Sequence, residues 1–135
     1  MKMYNTNSTN YGNYYNYYTA TAKSGGLSVT SGNALYSLCP KGWKLPTGAT
    51  GGEFQMLYNR YPSLSAILNT PVEIVLAGGY DKTTGVVFQS SGGFYWTSTI
   101  SNNYDSYRLN IYNNTVNPVY VIGKVDGLSI RCIAR

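Results

Sequence analysis

The chain has 135 residues, only 11% of them charged, and ten basic side chains against five carboxylates give a net charge of +5. That length suits one domain able to bury about two thirds of the surface its unfolded chain exposes, with uncharged polar groups covering it in place of the usual ionic ones. The basic residues form no arm or stripe, which excludes nucleic acid as an expected partner, and no apolar run nears the roughly 18 residues of a membrane span.

Residues 1–13 are mostly Asn, Thr, Ser and Tyr in no period and read as a flexible lead-in to a single domain over 14–135. They lack the apolar core of a signal peptide, so an extracellular domain is expected to carry its export signal or anchor elsewhere. The stretch YYNYYTATA at 14–22 is rich in aromatic and β-branched residues, which predicts a first strand. A Gly- and Ser-rich irregular loop follows at 23–33. In SLCPKGWKLPTGATGGEF, residues 37–54, Pro40 and Pro46 bar a regular helix and Gly42 permits a tight bend. Trp43 and Leu45 are spaced to point inward against Lys41 and Lys44, with Trp43 a structural anchor.

Thr50 and Glu53 stand at capping-box spacing, and Phe54, Leu57, Tyr58 and Tyr61 then recur at helical intervals until Pro62. A second helical turn or two spans 63–69, carrying Leu64, Ile67 and Leu68, and stops before Pro71. The apolar run 72–76 predicts a buried strand, and Gly78-Gly79, Asp81, Lys82 and Gly85 mark loops. A strand is expected at 94–99. Another is expected where Tyr107, Leu109 and Ile111 alternate with Arg108, Asn110 and Tyr112. Asn113-Asn114 and Asn117-Pro118 read as turns, with a short strand over 119–122. Over 127–133, Leu128, Ile130 and Cys132 alternate with Ser129, Arg131 and Ile133, which puts the cysteine on the aliphatic face. Early helices and late antiparallel strands predict an α+β domain with its termini in one sheet.

Chemistry narrows the function. The chain has no histidine, hence no imidazole base, Ser-His arrangement or imidazole metal site. Glu53, Glu73, Asp81, Asp105 and Asp126 form no paired-carboxylate motif, and no phosphate-binding loop is present, so neither enzyme activity, cofactor nor metal is expected. Glu53 reads as a helix cap. Cys39 and Cys132, the only cysteines, fit a disulfide in an oxidising compartment better than a redox dithiol, which would want C-x-x-C. A different signal lies between 101 and 120. Ser101, Asn102, Asn103, Tyr104, Asp105, Ser106, Asn110, Tyr112, Asn113, Asn114, Asn117 and Tyr120 are the residue types of binding loops, where Tyr gives contact area at low entropic cost and Asn and Ser give adaptable hydrogen bonds. The competing reading is polar filler, since the first 18 residues share the same bias.

LCPKGWKLPT followed after five residues by EF, then GFYWTST, a Y-x-L-x-I strand and a terminal GLSIRCIAR, together resemble the bacterial "major paralogous domain" first described in Fibrobacter, of the C-type lectin-like superfamily. The chain is also similar to the target proteins of diversity-generating retroelements. The resemblance runs from about residue 11 to the end. It implies a C-type lectin-like fold: one or two helices early, and a twisted antiparallel sheet with both termini close together. Cys39 and Cys132 match the family's paired cysteines, and Trp43 and Trp96 its structural tryptophans. In the retroelement targets the variable positions lie in the last third, and adenine-directed mutagenesis of Asn codons leaves Asn, Tyr, Ser, Asp and Thr, the composition of 101–120. The calcium motifs of sugar-binding C-type lectins are not matched, the nearest strings being Val116-Asn117-Pro118 and Trp96-Thr97-Ser98. A second cysteine for formylglycine-type chemistry is also missing.

The resulting expectation is a non-catalytic extracellular or cell-surface domain, monomeric or weakly self-associating, that recognises a protein or glycan through the 101–120 surface. Tyr104, Tyr112 and Tyr120 are its expected anchors. The alternative is a structural module of a bacterial surface assembly, with the Tyr- and Asn-rich N-terminal 18 residues mediating self-association.

Overall fold

The computed structural model describes residues 13–85 and 91–135. In chain order it holds α1 (Tyr17–Ala20), β1 (Gly32–Asn33), β2 (Trp43–Lys44), α2 (Glu53–Arg60), α3 (Leu64–Leu68), β3 (Gly92–Ile100), β4 (Asp105–Tyr112), β5 (Thr115–Gly123) and β6 (Ile133–Ala134). The architecture is α+β, with short helices early and antiparallel strands late. The lead-in expected at 1–13 lies, as far as residue 12, outside the described residues. No described helix is long and apolar enough to cross a membrane.

β3 is the hub. One edge pairs with β4, which pairs in turn with β5, giving a sheet of order β1-β3-β4-β5. Its second edge is covered piecewise, by Gly78 at Gly93, by Ser129 at Tyr95 and by β1 at Thr99 and Ile100. Alternate side chains of β3 serve two cores. Tyr95 joins Phe54, Ile67, Val72, Ile74, Leu109 and Ile111 under α2 and α3, while Phe94 and Trp96 join Tyr17, Ala20, Ile100 and Leu128 on the opposite face. Each fully buried large apolar side chain contributes about 1.5–3 kcal/mol. The polar tips of the aromatic rings are satisfied as well. Trp96 Nε1 donates to the Tyr15 carbonyl at 2.7 Å, Tyr95 OH to that of Val75 at 2.6 Å, and Tyr17 OH to that of Ser98 at 2.8 Å.

Several expected elements form differently. The strand expected at 14–22 survives only as a bridge between Tyr15 and Leu128, followed by α1. Asn16 caps that turn by accepting from Thr19 N–H at 2.8 Å, and Tyr17 and Ala20, three apart, are both fully buried. Helical burial outweighs local strand propensity there. At α2 the N-cap is Gly52 rather than Thr50. The reciprocal bonds of a capping box are made by Thr47, whose Oγ1 accepts from Glu53 N–H at 2.9 Å while Glu53 Oε1 accepts from Thr47 N–H at 3.0 Å. The run 72–76 buries Val72 and Ile74 but is not a strand, because Glu73 takes the left-handed region (φ 53°) and breaks the extended geometry. Asn117-Pro118 is no turn but lies inside β5. As β5 is the sheet edge, the missing Pro118 N–H costs no ladder bond there, and a register shift opposite Arg108–Asn110 absorbs it.

The C-terminal segment also departs from a single strand. Gly127, Leu128 and Ser129 bridge Tyr80, Tyr15 and Tyr95 of β3 in turn, and β6 then pairs with β2 in a separate two-stranded sheet, Trp43 opposite Ala134 and Lys44 opposite Ile133. Among the described residues the two ends of the chain therefore do not share one sheet, although the Tyr15–Leu128 bridge sets residues near the start against residues near the end. Cys39 and Cys132 are joined by a disulfide across 93 residues. Cys132 is only half-buried, whereas Arg131, expected on the outer face, is 1% exposed. Its guanidinium turns inward to donate to the carbonyls of Val72 at 2.8 Å and Glu73 at 3.1 Å, holding the irregular run that replaced a strand.

Candidate functional site

Strand alternation puts Arg108, Asn110 and Tyr112 of β4 on one face of the sheet, with Phe94 of β3 and Tyr120 of β5. The part of this face nearer α1 is closed by Tyr17, Trp96 and Leu128. Beyond it the side chains stack as a row. The Tyr112 and Phe94 ring centroids are 6.4 Å apart, and the Arg108 guanidinium lies 4.7 Å from the Phe94 centroid and 4.9 Å from that of Tyr120. A cation between two aromatic faces is held by both quadrupoles. Tyr112 and Tyr120 remain 46% and 41% exposed, so the row presents ring surface to solvent.

One side of the row is rimmed by Tyr80, Asp81 and Asp126, where Tyr80 and Gly127 exchange backbone hydrogen bonds of 2.6 and 2.8 Å. The hollow between rim and sheet is about 70 Å³, room for a water or two and too small for an organic ligand. Burial pulls the Arg108 guanidinium down to about 10, against the opposing pull of Tyr120, Asp126 and Asp81, so it stays charged at neutral pH. Its Nε is buried without a hydrogen-bond partner among the described residues, as is Asn110 Oδ1.

The twelve residues expected to bind ligand do not form one cluster. Asn110, Tyr112 and Tyr120 belong to the row. Ser101 to Asp105 lie at one end of β4 and Asn113-Asn114 at the other, eight residues or about 26 Å along the strand. Within the first loop Tyr104 is 72% exposed and Asn103 exposed, whereas Asn102 organises the turn. Its Oδ1 accepts from Tyr104 N–H at 2.8 Å and Asp105 N–H at 3.0 Å, and its Nδ2 donates to Asp105 Oδ2 at 3.1 Å. Asn113 and Asn114 form the hairpin tip with φ of 51° and 60°, the left-handed pair that a tight hairpin turn requires. Two residues must be reassigned. Ser106 is fully buried and out of a ligand's reach, and Asn117 turns its Oδ1 onto Val119 N–H at 3.0 Å on the strand edge.

Arg108, Phe94 and Tyr80 were not among the expected site residues. For Arg108 the signal was present, since it shares its alternation with Asn110 and Tyr112. Tyr80 arrives through a contact distant in sequence. Among the described residues no group of His, Cys, Asp or Glu could hold a metal ion. Comparison of the chain with protein-family models, curated proteins and solved structures gave no match.

Proposed function

We propose that this domain is a non-catalytic recognition module of C-type lectin-like fold, acting outside the cell, which binds a protein or glycan surface through the Tyr112–Phe94–Arg108–Tyr120 row. The observation that carries the reading is the row itself: exposed aromatic rings and a caged guanidinium on a rigid sheet face are the groups that dominate binding energy at interfaces. The lectin-like assignment draws support from the Cys39–Cys132 bridge, from the β2–β6 pairing beside it and from helices packed on one face of an antiparallel sheet. The disulfide also favours an oxidising compartment. Tyr104 and Asn103 extend the surface beyond the row, in keeping with the exchangeable positions of retroelement targets.

The test is an array of glycans and surface proteins probed with the parent domain and with Tyr112→Ala and Tyr120→Ala. Each variant should weaken capture at least about thirtyfold, the loss of an interface anchor worth about 2 kcal/mol; thermal stability should be nearly unchanged for Tyr112→Ala and fall modestly for Tyr120→Ala, which gives up the ring facing Arg108. Lower stability with undiminished capture would make these tyrosines packing residues. Sedimentation that rises with concentration, and no captured ligand, would favour the assembly module instead.

A further inference from the structure

A cleft of about 460 Å³ opens between α1, the loop after it and the turn that follows β5. That volume falls in the range of small-molecule sites, about 300–1,000 Å³, and the cleft shares no residue with the aromatic row. Its apolar walls are Tyr18, Leu27 and Val125, which keep half or more of their surface in water. Among them stand three lysines, Lys23, Lys82 and Lys124, and no carboxylate lines the cleft.

The lysines play different parts. Lys124 is 4% exposed and donates its Nζ to the carbonyls of Gly26 at 3.0 Å and Val29 at 2.9 Å, so it shapes the wall. Lys23 and Lys82 are exposed and have no ion-pair partner among the described residues. The chain's carboxylates are engaged elsewhere. Glu53 holds Lys44, Glu73 holds Thr70 and Asp105 holds Asn102. Asp81 accepts from Thr83 and Thr84 N–H, and Asp126 takes the backbone N–H of Lys82 rather than its ammonium. Ala22 and Lys23 are consecutive left-handed residues, φ 48° and 73°, a conformation costing about 1–2 kcal/mol per residue that fixes where Lys23 leaves the chain.

We propose that this cleft binds a small acidic saccharide, whose carboxylate or sulfate is held by Lys23 and Lys82 while the apolar face of a sugar ring lies on Tyr18 and Leu27. Two ammonium groups lacking counter-charges favour an anion, and an aromatic and aliphatic wall suits the C–H face of a ring. The site stands apart from the protein or glycan reading of the sheet face.

The experiment is an amide NMR titration of the whole chain with three probes: digalacturonate, a sulfated heparin disaccharide and neutral cellobiose. At least one acidic probe should shift the Tyr18, Leu27, Lys82 and Val125 amides to saturation, weakening in 0.5 M salt, with cellobiose inert; the acid that saturates identifies the anion. Lys23→Ala and Lys82→Ala should each weaken binding about tenfold and leave the melting temperature unchanged, both side chains being exposed. Cellobiose binding as well as the acids, shifts lying outside the cleft, binding unchanged in both lysine variants, or no response to either acid would each overturn the proposal. None of these outcomes bears on Tyr112 and Tyr120.

Discussion

Replacing Arg108 by methionine separates a residue that holds the fold from one that serves a surface. Burial pulls the guanidinium down from its ordinary value to about 10, a shift equivalent to about 3 kcal/mol against keeping it charged inside the fold. Above pH 10 the folded chain gives up this proton before the unfolded one does, so the cost is constant below pH 10 and lifts only above it. Against it stand two cation–π contacts, 4.7 and 4.9 Å from ring centroids, worth about 1–2 kcal/mol each when partly desolvated. The sum is close to zero. A methionine side chain would keep an unbranched, polarisable chain between the rings of Phe94 and Tyr120, so Arg108→Met should leave the urea-unfolding free energy at pH 7 within about 1 kcal/mol of the parent. Arg108→Ala, which empties the space between the rings, should cost about 2 kcal/mol. A loss above about 2 kcal/mol for the methionine variant would refute the reasoning, since the charge would then be holding the sheet together.

Removing the disulfide with Cys39→Ser and Cys132→Ser frees a 93-residue separation and should cost on the order of 4–5 kcal/mol in urea unfolding; a loss below about 1 kcal/mol would show that the reduced chain is already constrained. Gly52→Ala drives a Cβ into the Gly48 carbonyl oxygen and sets it 2.8 Å from that of Thr47, and should lower stability by about 3 kcal/mol, whereas a stable variant would mean that the 47–52 loop can shift. Burial pushes the Glu53 carboxyl up, but the Lys44 ammonium at 2.8 Å and the Thr47 N–H at 3.0 Å outweigh it and hold the carboxyl below its ordinary value. That stabilisation is present above the unfolded value of about 4.5 and disappears as pH falls through the folded one. Glu53→Gln should therefore flatten stability against pH across that acid range, by less than about 1 kcal/mol because the pair is partly exposed. An unchanged acid limb would remove Glu53 from the account.

The elements readable from sequence were those whose burial pattern is local. Leu109 and Ile111 alternate with polar neighbours and do form β4, and Phe54 with Leu57 and Tyr58 does mark α2. Misread segments owe their shape to partners far along the chain. Residues 72–76 look like a strand because they are mostly apolar, yet Arg131, 58 residues beyond Glu73, holds the Val72 and Glu73 carbonyls in an irregular path. Arg131 itself could not be placed from its neighbours, since its acceptors lie on another segment. Asn117-Pro118 carries the composition of a turn, but an edge strand tolerates it. For the site, composition identified the region without its geometry. Asn102 and Asn117 have the residue type of a ligand contact, yet they spend their side-chain oxygens on backbone N–H groups. Nothing in a linear string distinguishes those uses.

That distinction also sets which parts of the 101–120 region can change without cost. Leu109 and Ile111 fill a core, Ser106 is buried, and Asn102 and Asn117 stabilise a turn and an edge. Asn113 and Asn114 are confined by positive φ to residues that tolerate it. Asn103, Tyr104, Tyr112 and Tyr120 remain, all exposed and none under such a backbone constraint. They sit on a frame fixed by contacts that do not involve them: the Cys39–Cys132 bridge, Arg131 on the 72–73 carbonyls, and β3 held on both edges. Substitution at Asn103, Tyr104 and Tyr112 alters what the surface presents while leaving that frame's interactions in place, whereas substitution at Tyr120 also gives up its contact with Arg108. A rigid frame also means that binding there costs little ordering entropy, so the free energy of each ring contact is retained as affinity.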